Sequence, residues 1–112
     1  MDENDFLVLH RILKEIEILQ QATADVTFEK FYTDEVLKRA VAMAFLNIGE
    51  FANRLSANLR ASAKDIPFKE IIATRNNAAH GYDGLRFDFI WKTIHEDIPI
   101  LKEQILSLFE IT

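Results

Sequence analysis

The sequence predicts an all-α fold, an up-and-down four-helix bundle. Only 3 glycines and 2 prolines occur among 112 residues, so the chain has little material for turns and its elements should be few and long. Apolar residues recur every three or four positions along four segments, which is the period of an amphipathic helix, and no segment alternates as a strand would. The length suits one domain, residues 1–112, with a single core.

The first helix is predicted from about Asp5 to Gln21, with Asp5 as its N-cap. Residues spaced three and four apart form its apolar stripe: Phe6, Leu9, Leu13 and Ile16. Residues 22–32 are predicted to be a connection whose apolar side chains hold it against the core.

The second helix is predicted to begin at Thr33 as N-cap, with two acidic residues in the first turn, where the helix dipole favours them. Its stripe is formed by Leu37, Val41, Ala44, Ile48, Phe51, Ala52 and Leu55. On the opposite flank, Glu50 and Arg54 are four apart and are predicted to be an exposed ion pair. Residues 56–64 are predicted to be a polar linker.

The third helix is predicted to open at residues 65–67, because proline is favoured in a first turn, and to end at Gly81 as C-terminal cap. The last helix should run from about Phe87 to Glu110, with an alternating three–four spacing of apolar residues like that of a coiled-coil seam. Pro99 should kink or restart this helix, which leaves room for a short fifth helical piece.

Composition and charge limit the classes of function. The chain has 0 cysteines, which excludes disulfides, thiolate metal sites and cysteine nucleophiles. No apolar run approaches the roughly 18 residues of a membrane span, and the acidic N-terminus is unlike a secretory signal, so we expect a cytoplasmic protein. The formal net charge is −5, yet residues 54–86 hold six basic against three acidic residues. Such a basic segment suits a phosphate-bearing ligand, although helices commonly carry mixed charge.

A polar cluster marks the end of the third helix. Arg75 falls on the apolar stripe, Asn76 and His80 share one flank because they are four apart, and Tyr82 follows just beyond. A buried guanidinium needs a partner, which could be a second chain or an anionic ligand. Alternatively, Arg75 pairs with Glu50 inside the chain and His80 interacts with the helix dipole.

These residues resemble a known family. Arg75-Asn76-x-x-x-His80-x-Tyr82 resembles the R-N-x(3)-H-x-Y signature of the HEPN superfamily, in its HepT-like branch. Segments 47–56, 66–72, 90–91 and 97–102 resemble further parts of that branch, in the same order. Two departures are visible: Phe68 stands where the branch usually has tryptophan, and Arg86 stands where an acidic or amide cap often precedes the last helix. Arg86 thereby adds a cation that could contact phosphate.

The resemblance implies a metal-independent endoribonuclease, the toxin of a type II-like toxin–antitoxin pair, with no cofactor. It implies a homodimer whose motif helices form one composite cleft for RNA, and an MNT-type nucleotidyltransferase as antitoxin. We expect His80 to transfer a proton and Arg75 to hold the scissile phosphate. Asn76 would orient the phosphate or the imidazole. Tyr82 would stack a base or contact phosphate and, as in that branch, accept AMP from the antitoxin.

Two other functions remain open from the sequence. The chain could be a non-catalytic partner subunit that presents a nucleotide or substrate to a nucleotidyltransferase, although the presence of both Arg75 and His80 favours catalysis. It could also be a helical dimerisation module in which the polar cluster is an ordinary helix cap.

Overall fold

Helices make up most of the computed structural model, which describes the backbone of residues 1–79 and 84–111 and the side chains of residues 1–74 and 84–110. These residues form seven helices and no strand: α1 (Glu3–Thr23), α2 (Phe28–Thr33), α3 (Glu35–Asn53), α4 (Ala57–Ser62), α5 (Phe68–Ala79), α6 (Phe87–Glu96) and α7 (Ile98–Ile111). The predicted all-α class is confirmed. The four predicted helices correspond to α1, α3, α5 and the pair α6–α7, and two short helices lie in the predicted connections.

The central element is α3, which packs against α1 on one side and α5 on the other. The last helix closes the bundle, because α7 packs on α1 while α2 joins α3 to α6. The largest fully buried side chains come from four of these elements: Leu9, Ile12, Ile16, Leu19, Phe31, Val41 and Ile105. Within the described residues, no helix is both long and apolar enough to cross a membrane.

The prediction that Asp5 caps α1 is wrong. The N-cap is Asp2, whose carboxylate accepts a hydrogen bond from the backbone N–H of Asp5 at 2.7 Å. Asp5 itself is only 2% exposed. Its carboxylate accepts hydrogen bonds from the backbone N–H of Ser56 at 2.9 Å and from the Ser56 hydroxyl at 2.6 Å. Asp5 therefore ties the start of α1 to the end of α3.

The two predicted connections each contain a short helix. In the first, Phe31 of α2 is fully buried, which confirms that this segment is held against the core. The N-cap of α3 is consequently Asp34, not Thr33, and its carboxylate accepts a hydrogen bond from the Leu37 N–H at 3.0 Å. In the second, the predicted polar linker buries Leu59 and Ala63, which is enough apolar surface to hold α4 in place.

The predicted last helix is interrupted, as expected, but the break lies at Asp97 and not at Pro99. The backbone N–H of Asp97 still donates to the Thr93 carbonyl at 2.9 Å, and α7 begins at the next residue. Pro99 then lies in the first turn of α7, where its missing N–H costs no helical hydrogen bond. The piece beyond the break is longer than expected, since α7 spans 14 residues and α6 spans 10.

Candidate active site

The helix that carries the motif is held along its first half by apolar contacts. Phe68 at the start of α5 is buried, and Ile71 and Ile72 pack half-buried against the same core, with α3 alongside. Pro67 precedes the helix, and its carbonyl accepts the Ile71 N–H at 3.1 Å. Pro67 is therefore the residue just before the first turn. The apolar part of the predicted stripe, up to residue 72, faces the core as expected.

The predicted catalytic residues stand at and beyond the end of this helix. Arg75 and Asn76 lie in the last five residues of α5, and their side chains are outside the described part of the structure. His80 and Tyr82 lie outside the described residues, and so does the predicted cap, Gly81. The convergence of these side chains therefore stays a prediction. Glu50, the alternative partner considered for Arg75, is half-buried on α3.

The described structure resumes at Gly84, and Leu85 and Arg86 lead into α6. Leu85 is half-buried and packs against the core. Arg86 is the N-cap of α6 but makes no side-chain capping hydrogen bond. The arginine at this position therefore does not replace the cap that an acidic or amide side chain would provide. Its guanidinium instead donates to the carboxylate of Asp88, from Nη2 to Oδ2, at 3.1 Å.

Asp88 supplies the negative charge at the start of α6. It lies in the first turn, where the helix dipole favours an acid. The hydrogen bond from Arg86 holds the pKa of the Asp88 carboxyl below its ordinary value, and the backbone N–H of Phe89 acts in the same direction. Both side chains are exposed. Arg86, which was predicted as a possible phosphate contact, therefore already donates to the exposed carboxylate of Asp88.

A buried lysine, not predicted from the sequence, supports the start of α6. The Lys38 ammonium lies 5.0 Å from the centroid of the Tyr32 ring and 4.8 Å from that of the Phe87 ring. It also donates to the Tyr32 carbonyl at 3.1 Å and to the Glu35 carboxylate at 3.2 Å. Lys38 therefore joins α2 and α3 to the first residue of α6. A signal existed, since Lys38 is three residues before Val41 and so continues the apolar stripe of α3.

An aromatic cluster fixes α6 from the other side. The Trp91 ring lies 4.8 Å from the ring of the fully buried Phe31, and Phe87 reaches the same Phe31 ring edge-on at 6.0 Å. His95 lies 4.3 Å from Trp91, between ring centroids. Both segments that flank residues 80–83 are thus anchored, α5 on α3 and α6 on α2.

Comparison with known proteins decides the family. The family model of the ribonuclease HepT-like proteins matches residues 12–108. This chain belongs to that family. The matched range includes all four motif positions, Arg75, Asn76, His80 and Tyr82. The resemblance drawn from the motif and its neighbouring segments is therefore confirmed at the level of the family.

Individual HepT-like relatives are similar over nearly the whole chain. A protein described as a candidate RNase from Caldanaerobacter subterraneus subsp. tengcongensis is 34% identical over 102 residues, 91% of this chain and 91% of the relative. The probable ribonuclease HepT of Thermococcus cleftensis is 33% identical over 94 residues, 84% of this chain and 86% of the relative. A candidate RNase of Methanocaldococcus jannaschii is 28% identical over 97 residues, 87% of this chain and 89% of the relative. No solved structure matches the chain.

Proposed function

We propose that this chain is a metal-independent endoribonuclease, the toxin of a type II-like toxin–antitoxin pair. The observation that carries the proposal is the HepT-like match over residues 12–108, within which Arg75, Asn76, His80 and Tyr82 are all present. Relatives that are aligned along most of their length carry ribonuclease names. A family resemblance alone does not establish an activity, and the chemistry of these four residues supplies the mechanism.

RNA contains its own nucleophile, the 2′-hydroxyl, so its cleavage needs a proton acceptor, a proton donor and stabilisation of charge on the phosphate. His80, with an ordinary imidazole pKa near 6.5, exchanges a proton near neutral pH. Arg75 binds the scissile phosphate through two parallel N–H donors and stabilises the charge that develops on its oxygens. Asn76 orients the phosphate or the imidazole. Together these groups suffice for transesterification without a metal ion.

Two protomers form the active unit in this proposal. Arg75 continues the apolar stripe of α5, and a guanidinium at such a position requires a negatively charged partner. A dimer that faces the two motif helices toward each other places RNA phosphates between two such arginines. It also brings together two copies of the segment 54–86, which carries six basic and three acidic residues. The net charge of −5 is thereby compatible with RNA binding at this cleft.

Arg86 is a secondary phosphate contact in this scheme. Its guanidinium already donates to Asp88 at 3.1 Å, but both side chains are exposed and the pair is screened by solvent. An RNA phosphate competes with the Asp88 carboxylate for the same donors. Lys38 and the Phe31–Trp91 contact hold the start of α6 in place while this exchange occurs.

The proposed antitoxin is an MNT-type nucleotidyltransferase that modifies Tyr82. The phenolic oxygen of Tyr82 attacks the α-phosphate of ATP, pyrophosphate leaves, and AMP stays attached to the tyrosine. Because Tyr82 is two residues from His80, the bulky anionic nucleotide occupies the cleft and repels RNA. Tyr82→Phe should then cleave RNA and resist neutralisation, whereas Tyr32→Phe, at an exposed tyrosine on α2, should be neutralised normally.

The first test is controlled expression of the wild-type chain alone, followed by growth and total RNA. We expect growth arrest with fragmented RNA, relieved by Arg75→Ala and by His80→Ala. His95→Ala is the matched control, because His95 is an exposed histidine on α6 whose Nδ1 lies 2.9 Å from the Trp91 carbonyl oxygen of its own helix. Normal growth with intact RNA, from a chain shown to be folded and dimeric, would instead support the non-catalytic partner subunit.

A further inference from the structure

An apolar groove of about 640 Å³ lies between α5 on one side and α6 and α7 on the other. Phe45 and Ile48 of α3 form its floor and are almost fully buried. Its walls include Phe89 and Ile100, which are 62% and 58% exposed. Large apolar side chains that line a concave surface and remain more than half exposed are typical of a binding surface for another protein.

The charged residues described along this groove all have one sign, which is negative. Asp65, Glu70 and Asp97 line it, and Glu103 lines the shallow depression that adjoins it beside Ile100. No lysine, arginine or histidine occurs among the described residues that line either one. All four acidic residues are exposed and, within the described side chains, none of them forms an ion pair. The groove is thus an apolar trough with a negative rim.

This charge pattern indicates which kind of molecule the groove binds. RNA is excluded, because its phosphates would meet the acidic rim. In a symmetric contact between two copies of the groove, the carboxylates of one copy would face those of the other. A basic amphipathic helix has the complementary character, since its apolar side chains fill the trough while flanking lysines and arginines reach the rim.

The groove lies along the first half of α5. The described residues of α5 that line it are Glu70, Ile71, Ala73 and Thr74, and all four precede the motif in the chain.

We propose that this groove binds a basic amphipathic helix of a partner protein, with Phe89 and Ile100 as the apolar anchors and the acidic rim as the charge partner. The inference is independent of RNA cleavage and adds a protein-binding surface to the chain. The segment that lines the groove along α5, residues 67–74, is about 10 Å long, so the bound helix needs two to three turns.

The probe is a fluorescein-labelled peptide of about 14 residues, a length of roughly 20 Å as a helix. It consists of leucines at spacings of three and four with lysines between them, and a second peptide replaces every lysine by glutamate. Fluorescence anisotropy against the full-length protein measures both affinities at low and at moderate salt. We expect saturable binding of the lysine peptide that weakens with salt, and no binding of the glutamate peptide.

Variants of the lining residues test whether the peptide binds in this groove. Ile100→Ser and Phe89→Ser should each weaken binding of the lysine peptide about tenfold, because each removes an anchor that the helix would bury. The matched control is Val36→Ser, at an apolar residue of α3 that is 80% exposed and does not line the groove. Asp65→Asn combined with Glu70→Gln should weaken binding about fivefold and flatten its salt dependence.

Three outcomes would overturn the inference. One is equal binding of the lysine and glutamate peptides. Another is an equal effect of Ile100→Ser and Val36→Ser on the affinity. The third is dissociation of a dimer by Ile100→Ser in analytical ultracentrifugation, which would assign the groove to a second copy of the chain. RNA cleavage by Ile100→Ser should equal that of the wild type, so a failure of this inference and a failure of the proposed ribonuclease activity are distinguishable.

Discussion

Asp5 is a buried carboxylate that joins two distant segments of the described chain, and its removal should lower the free energy of unfolding. It is 2% exposed, and its two carboxylate oxygens accept from the backbone N–H and the hydroxyl of Ser56, 51 positions later in the chain. The same Ser56 hydroxyl oxygen accepts from the Leu59 N–H at 3.1 Å and so caps α4. One carboxylate thus fixes the start of α1, the end of α3 and the start of α4.

The cost of Asp5→Ala can be worked from these bonds. Hydrogen bonds to a charged group contribute about 1.5–3 kcal/mol each, and the part-buried Ser56 N–H would be left without its acceptor. Allowing for partial relaxation, we expect a loss of about 3 kcal/mol in the free energy of unfolding, a large share of the roughly 5–15 kcal/mol typical of a domain. The melting temperature should fall by about 10–15 °C. Asp5→Asn, which keeps one acceptor oxygen, should lose about 1 kcal/mol.

Urea denaturation followed by circular dichroism, at two protein concentrations, measures these losses. The matched control is Asp2→Ala, which removes a carboxylate from the same end of α1 but only an exposed cap, at a cost of about 1 kcal/mol. A double-mutant cycle between Asp5→Ala and Ser56→Ala should show a coupling of about 1–2 kcal/mol. Additive effects, or equal losses for Asp5→Ala and Asp2→Ala, would refute the buried tether.

Three further predictions concern single side chains. Lys38→Met keeps an apolar stem but loses both hydrogen bonds and both ring contacts, so the free energy of unfolding should fall by about 1–2 kcal/mol in urea titrations. Asp25 has a φ of 60°, so Asp25→Gly should raise the melting temperature and Asp25→Val should lower it, each by a few degrees in calorimetry. In NMR titrations Asp88 should ionise below its ordinary pKa, and Arg86→Ala should raise that pKa toward the ordinary value. Because the folded pKa is the lower one, the stability contributed by this pair is present above the unfolded pKa and is lost as pH falls through the folded value.

The spacing of apolar residues predicted the long helices well. The predictions that were wrong concern residues whose roles depend on tertiary contacts. The apolar stripes located α1, α3, α5 and the α6–α7 pair because each stripe faces one shared core. Asp5 looked like a helix cap because it precedes the first stripe, and no local signal reveals a partner 51 positions away. The linker 56–64 looked polar because its two buried apolar residues, Leu59 and Ala63, are too few to show a period.

Some features of the candidate site could be predicted from the sequence, and others could not. The motif residues and the family followed from sequence, since residue identities and spacing are what a family match measures. The pairing of Arg86 with Asp88 was not predicted, because it depends on the rotamers of two exposed side chains. The acid-rimmed groove was also missed, since its lining comes from α3, α5, α6 and α7, and no single segment displays it.

The most direct test of the proposed ribonuclease activity is cleavage of RNA by the purified chain in the presence of EDTA. We expect the wild type to cleave a short single-stranded RNA into products that end in a 2′,3′-cyclic phosphate, and we expect no cleavage when the RNA carries 2′-O-methyl groups. His80→Ala should be inactive and still dimeric, while His95→Ala should cleave as the wild type does. Cleavage that persists in His80→Ala, or a folded wild-type dimer that leaves the RNA intact, would contradict the proposed ribonuclease.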